Sequence, residues 1–255
     1  MPDTRGVGNA IMTDLLIDIG NSRIKWALAA DGELIGAARA ATHDSLERLF
    51  AEWRQLAERP ARVRVVNVAR ASVVNRITAW LQVHWERAPE FIQTPAAGDA
   101  IHSAYTHPTE LGTDRWLAML GAKAAGYLPV CVVDCGTAIT VDVVTGDARH
   151  QGGLILSGLP AQKAGLARLA PQLPSIDLPT RPPFLATNTA DALASGHIFG
   201  TAAAVQGVIR RCLAGSSERL TPVLTGGDAP IIARYLDLDA RLRPDLVLEG
   251  LASLP

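Results

Sequence analysis

Two short segments of this chain carry residue types that could hold phosphate. One is Asp18-Ile-Gly-Asn-Ser-Arg-Ile-Lys25, after the apolar run Leu15-Leu16-Ile17; the other is Asp134-Cys-Gly-Thr-Ala-Ile-Thr-Val-Asp142, after Val130-Cys131-Val132-Val133. Each reads as a buried strand that ends in an acidic residue, turns at glycine and returns as a second β-rich run. Gly20 and Gly136 permit a tight reversal that a side chain would obstruct. Successive backbone N–H groups in such a turn can face anionic oxygens. Asn21, Ser22 and Thr137 add neutral donors, and Lys25 adds a positive charge. Asp18 and Asp134 repel phosphate and suit a cation or its water shell instead. Either segment alone reads equally well as a hairpin with a glycine turn. The pair, one in each half of the chain, points to two similar lobes gripping one nucleotide between them.

The elements that would position these residues follow the same order in both halves. Strands are expected over 14–19, 24–30 and 33–39, with Asp31-Gly32 as a two-residue hairpin turn. A helix follows from an N-cap at Thr42 or Asp44 to about residue 58, stopped by Pro60. Its Leu46, Leu49, Phe50, Trp53 and Leu56 have helical spacing. A strand over 63–68, a helix over 72–87 and a strand over 90–93 complete a βββαβαβ order. Residues 94–113 are rich in Pro, Gly, His and Thr and read as loop, opening a helix that runs to about 126 with Thr113 as N-cap. The second half gives strands over 130–134, 138–144 and 150–156, with a turn at Gly146 and a bulge at Gly152-Gly153. Helices are expected near 157–169 and 189–214, then a strand over 222–225, the turn Gly226-Gly227-Asp228, and a helix to about 235. Thr189 reads as the N-cap of the long helix. This is a duplication of fold rather than of sequence. The expected divisions are a loose tail over 1–13, a first lobe over 14–113 and a second lobe over 114–255.

Composition narrows the function classes. Net charge is −1 over 255 residues with both signs interspersed, which argues against a nucleic-acid footprint. Arg62 and Arg64, flanking a strand, and Arg210 and Arg211 read as solvated faces. No run of about 18 apolar residues marks a membrane span, and the polar start lacks the apolar core of an export signal. The three cysteines then fit a reducing cytoplasm and read as small buried residues. The six histidines form no metal-spaced pair. Trp26, Trp53, Trp80 and Trp116 fall on apolar faces.

Taken as an ordered set, the motifs carry a resemblance. They are Asp18-x-Gly-Asn-Ser…Lys25, Leu111-Gly-x-Asp-Arg115, Asp134-x-Gly-Thr-Ala-x-Thr-x-Asp142, Gly152-Gly-x-Ile155…Gly158, Asn188-Thr189 and Thr225-Gly-Gly227. The chain resembles the type III pantothenate kinases of the actin, sugar kinase and Hsp70 superfamily over essentially its whole globular length. The resemblance implies an α/β fold of two ribonuclease-H-like lobes with the active site in the cleft between them, and a homodimer. It implies transfer of phosphate from ATP to the primary hydroxyl of pantothenate, the first step toward coenzyme A. Carried over by motif, Asp18, Gly20, Asn21, Ser22 and Lys25 form the first phosphate loop, and Gly136 and Thr137 contact ATP. Asp114 is the catalytic base. Tyr105, Gly112, Thr113 and Arg115 line the pantothenate site, and Thr189 joins it from the partner subunit. Asp134 holds a monovalent cation, potassium or ammonium, and magnesium accompanies ATP. Ser22 departs from the family's usual threonine but keeps the hydroxyl.

Physical chemistry agrees with these assignments and leaves some open. Phosphoryl transfer asks for positioning and charge neutralisation more than covalent chemistry. Asp114 has an unperturbed pKa of about 3.9 and is a weak base for an alcohol, so it orients the hydroxyl and accepts its proton late. Arg115 has a planar fork that suits a carboxylate or phosphate; a local Asp114–Arg115 pair at the helix start is the plainer reading of that dipeptide. Metal duties are not divided among Asp18, Asp134 and Asp142. Two alternatives stand beside the kinase: a regulatory protein like the Bvg accessory factor on the same fold, and a kinase for another small hydroxy-acid or sugar.

Overall fold

The computed structural model describes residues 12–95 and 100–255. The tail expected over 1–13 therefore lies, but for its last two residues, outside the described residues, as do positions 96–99 of the expected loop. The chain forms two compact units: one runs through Ile92 and includes Leu254–Pro255, and the other spans Gln93–Ser253. A boundary at 113/114 and this division assign the loop 93–113 to different units.

The first unit holds β1 (Asp14–Ile19), β2 (Arg23–Ala30), β3 (Glu33–Thr42), α1 (Leu46–Arg54), β4 (Arg62–Asn67), α2 (Ala71–Trp85) and β5 (Glu90–Phe91). Its sheet has the order β3-β2-β1-β4-β5, with β1, β2 and β3 antiparallel in sequence and β4 and β5 parallel to β1. Asp31 and Gly32 both take left-handed backbone (φ 52° and 81°), as a two-residue hairpin joining twisted strands requires. Leu49, Phe50 and Trp53 of α1 meet Trp80 and Trp85 of α2 and Trp26 of β2 in an aromatic core. Phe50 stacks on Trp80 with ring centroids 5.1 Å apart, and Trp53 meets Trp26 edge-on at 6.2 Å. Helix α1 ends at Arg54, four residues earlier than the sequence pattern predicts, and β5 is only two residues long.

Arg64 corrects one expectation. It is buried rather than solvated, and its guanidinium donates to the carbonyl oxygens of Leu254 (2.9 Å) and Pro255. A charge on the central part of a sheet needs partners once it is out of water. The last two residues supply them, which explains why they group with the first unit.

The second unit holds α3 (Thr113–Ala124), β6 (Val130–Cys135), β7 (Ala138–Val144), β8 (His150–Ser157), α4 (Leu159–Leu169), α5 (Thr189–Gly215), β9 (Thr221–Thr225), α6 (Ala229–Ala233), β10 (Arg241–Leu242) and α7 (Leu246–Ala252). Its sheet runs β10-β9-β6-β7-β8, again with an antiparallel three-strand lead and parallel strands on the other side. The two units therefore share a strand plan, as the duplicated motifs require. Strand β10 and helix α7 were not legible in the sequence pattern. Helix α7 packs on α3 where Gly121 and Gly250 let the backbones meet: a Cβ on Gly250 would overlap the carbonyl of Leu117.

Helix α5 is long and apolar enough to cross a membrane by length and composition alone, with a mean hydropathy of 1.3 over its best window. Its Ala202, Val205 and Ile209 instead pack into the second unit's core with Val133, Val141 and Leu224. Cys131 and Cys135 are buried as expected, whereas Cys212 on α5 is only half-buried.

Candidate active site

Strand β1 delivers Asp18 to the mouth of its turn. Asp18 pairs across the ladder with Lys25 of β2, and the Gly20 N–H closes the turn on the Arg23 carbonyl at 3.0 Å. Asn21 and Ser22 sit exposed at the tip, and Lys25 and Asp18 are half-buried behind it. His43 Nε2 lies 2.9 Å from the Gly20 carbonyl and fixes the turn from the end of β3. The sequence reading missed that contact, because nothing in local spacing links positions 20 and 43.

Strand β6 repeats the arrangement. Asp134 pairs with Thr140 of β7, and the Gly136 N–H donates to the Ala138 carbonyl at 3.0 Å. The Gly158 N–H donates to the Thr137 carbonyl at 2.9 Å, and the Asp228 N–H to the Cys135 carbonyl at 2.9 Å. Gly226 has φ +90° and stands so close to Asp134 that a Cβ there would overlap its carboxylate oxygen and the Cys135 carbonyl. The turn Thr225-Gly226-Gly227 thus walls one side of Asp134 with bare backbone. The carbonyls of Cys135 and Thr137 beside it already accept backbone hydrogen bonds. Among the described residues, no group of three or more His, Cys, Asp and Glu side chains is placed to hold a metal ion. A magnesium ion at Asp18 would therefore need phosphate and water to complete its shell, which is its usual habit.

Helix α3 opens at Thr113 with Gly112 as its N-cap, not Thr113. The Thr113 hydroxyl oxygen accepts from the Thr94 N–H at 3.1 Å, and the Thr94 hydroxyl donates to the Leu111 carbonyl at 2.8 Å. Those bonds fix the approach to the helix. Asp114 turns its carboxylate back over the helix start, where it accepts from the Arg115 N–H at 2.9 Å. Gly112 leaves the space, since a Cβ there would come within 2.7 Å of that oxygen. Burial raises the Asp114 pKa above the ordinary carboxylate value, against the lowering effect of the Arg115 N–H and charge; the Asp142 charge adds to the rise.

Asp114 meets Arg115 through the backbone N–H, while the Arg115 side chain turns elsewhere. Its guanidinium reaches across to Asp142 of β7, with Nε donating to Oδ2 at 2.9 Å and Nη2 to Oδ1 at 2.6 Å. Both side chains are buried, 5% and 2% exposed, so the pair is shielded from water. Arg115 Nη1 donates to the Tyr105 hydroxyl at 2.7 Å. His150, at the start of β8, places Nε2 2.9 Å from Asp142 Oδ1. Burial alone would lower the Arg115 pKa, but Asp142 and then Tyr105 raise it, so the charge is locked on. The structure thus brings Tyr105, Arg115 and Asp142 together and adds His150, which sequence reasoning did not select. Asp142 thus accepts hydrogen bonds from both Arg115 and His150.

Gly153 makes this packing possible. It sits directly opposite Asp142 in the β7–β8 ladder, where a Cβ would overlap Arg115 Nη2, Asp142 Oδ1 and the Val141 carbonyl. The neighbouring Gly152, at φ +111°, lies at the register shift of that ladder, the bulge the paired glycines imply. Thr189 lies exposed at the first turn of α5, and Asn188, not Thr189, caps the helix by accepting from the Asp191 N–H at 2.9 Å.

The sequence matches the family model of type III pantothenate kinase over residues 14–211. This chain belongs to that family. It is 37% identical over 245 residues to the type III pantothenate kinase of Nitrosococcus oceani, covering 93% of this chain and 92% of that one. It is 38% identical over 256 residues to the namesake of Methylibium petroleiphilum, covering 95% and 98%. Among solved structures, a Campylobacter jejuni protein described as a Baf family transcriptional activator aligns with a TM-score of 0.55 at 22% identity, covering 93% of this chain and 94% of that one. The activator of 2-hydroxyisocaproyl-CoA dehydratase from Clostridium difficile aligns at 0.53 with 14% identity, covering 95% and 92%. At those identities the structural matches establish the fold alone, a mixed α/β architecture with two five-stranded sheets.

The close approach at Gly153 generates a direct test. Gly153→Ala should destabilise the protein by about 1–3 kcal/mol, the usual cost of overpacking, measured by urea denaturation. Gly165→Ala, at a position with open space around it, should cost far less.

Proposed function

We propose that the protein transfers the γ-phosphoryl group of ATP to the primary hydroxyl of pantothenate, opening the route to coenzyme A. Membership of the type III pantothenate kinase family carries this reading. The half-buried Asp114 beside a locked Arg115 supports it as chemistry. Asp114 orients the hydroxyl and accepts its proton, and the raised pKa improves its match to that task. Tyr105 and Arg115 supply donors to the pantothenate. Gly112 leaves room for the Asp114 carboxylate, and Thr113, held by Thr94, completes this edge of the substrate site.

The turn from Asp18 to Lys25 would cradle the ATP phosphates with its backbone N–H groups, and Gly136 and Thr137 would add a second set. A monovalent cation, potassium or ammonium, would be held at Asp134, where it would offset phosphate charge. Magnesium would be held at Asp18 through its water shell. We further propose a homodimer in which Thr189 completes the partner's pantothenate site. The exposed start of α5 supports this, as do Phe184 and Leu185, which leave 73% and 83% of their surface open just ahead of it. Apolar side chains so placed favour contact with another protein surface. The proposed setting is the cytoplasm, with no nucleic-acid or membrane partner.

The first experiment is ADP release from ATP with magnesium and potassium, with and without pantothenate. Release that depends on pantothenate, with 4′-phosphopantothenate identified by mass, is the expected result; release equal in both would overturn the reading. Asp114→Asn should lower kcat by about 10²–10⁴-fold. The sign of its stability effect is also fixed. A carboxyl whose folded pKa is raised stabilises the fold fully only below its unfolded pKa and loses that contribution as pH rises through the folded value. At pH 7 the Asn variant should therefore melt no earlier than wild type. The acid limb of kcat/KM for pantothenate should lie above that of an unperturbed aspartate, since the base must be ionised.

A mixing experiment tests the dimer. Asp114→Asn and Thr189→Ala chains, each inactive alone, should regain activity when refolded or co-expressed together, because one hybrid site then carries both native residues. Persistent inactivity of a verified heterodimer would place Thr189 outside the partner's site.

A further inference from the structure

We infer that Asp142 and His150 form a positioning pair for pantothenate recognition, acting through Arg115 and Tyr105. The inference rests on the kinase reading above and deepens it.

Three of the five guanidinium N–H groups of Arg115 are committed: Nε and one Nη2 hydrogen to Asp142, and one Nη1 hydrogen to Tyr105. The fork is thereby fixed at three corners, and two N–H groups have no partner among the described residues and are open to a ligand. Tyr105 accepts from Arg115, so its own hydroxyl proton is directed to some other acceptor. A substrate with a carboxylate and amide or hydroxyl oxygens offers such acceptors. The direction of both sets of donors depends on where Asp142 stands.

His150 sets that position. A carboxylate only accepts, so the nitrogen at 2.9 Å from Asp142 Oδ1 is the one bearing hydrogen, and the ring's orientation is defined. The same ring stacks against Tyr105, with centroids 5.9 Å apart and planes 23° apart. His150 therefore touches both partners of Arg115, one by a hydrogen bond and one by ring contact. Its other nitrogen, Nδ1, is buried without a hydrogen-bond partner among the described residues. A buried unpartnered polar atom costs stability. An apolar ring would fill the same space without that penalty, so packing alone does not account for histidine here. Orientation of Asp142 and Tyr105 does.

The test uses steady-state kinetics and melting of the full chain. His150→Phe keeps a ring beside Tyr105 but removes the donor to Asp142. It should raise KM for pantothenate about tenfold, the loss of one hydrogen bond to a charged group, while KM for ATP stays unchanged and Tm falls by no more than a few degrees. His150→Gln, which can again present an N–H to Asp142, should recover much of the lost affinity. An unchanged KM for pantothenate, or equal rises in both KM values, would overturn the proposal while leaving the kinase reading intact. Wild-type protein with no pantothenate-dependent turnover would overturn both. Should His150→Phe fail to fold, His150→Gln is compared with the shorter His150→Asn. A lower KM for pantothenate in the Gln variant supports the role, and equal values overturn it.

Discussion

A buried ion pair organises the candidate site. Taking Arg115 and Asp142 out of water costs several kcal/mol per ion, and their attraction offsets this only with near-complete hydrogen bonding. The structure brings four segments to one point around the pair. The first turn of α3 supplies Arg115, β7 supplies Asp142, β8 supplies His150 and a space at Gly153, and the loop before α3 supplies Tyr105. None can move alone without exposing or stranding a charge. The rigidity needed to orient a substrate is a by-product of satisfying that pair.

The same first turn carries Asp114, and this couples that carboxylate to the pair. Asp142 pushes the Asp114 carboxyl toward its neutral form, while the Arg115 N–H and charge pull the other way. Burial decides the balance. The charge network that fixes the guanidinium therefore also tunes the neighbouring carboxylate. Backbone proximity on one helical turn is what makes two jobs share one electrostatic environment.

The two units solve a common topological problem with different materials. Each presents an acidic residue at the end of its first strand, followed by a glycine turn. The first unit builds its core from stacked aromatic rings on α1 and α2, whereas the second uses aliphatic side chains along α5 and its sheet. The strand plan thus does not depend on a particular core chemistry. It depends on alternating apolar strands and on crossover helices that cover one face.

Local pattern made much of this protein legible from sequence. Alternation and turn chemistry located β1 to β4 and β6 to β9, and Asp31-Gly32 announced its hairpin by the backbone it needs. The ordered motifs located Asp18, Asp114 and Asp134 and named the family. Short elements without periodicity escaped: β10 is held by its pairing with β9 and α7 by its packing on α3, rather than by propensity. The helix caps shifted to Gly112 and Asn188 because cap geometry is decided by the incoming chain. Arg64 read as solvated because its partners lie some 190 positions away. His150 was not selected although it stands only 8 positions from Asp142, and Arg115 lies 27 positions from that carboxylate, because neither separation has a sequence pattern of its own. A sequence fixes residue types and their local periodicity; which charges meet in the dry interior is decided only when the chain closes distant segments on one another.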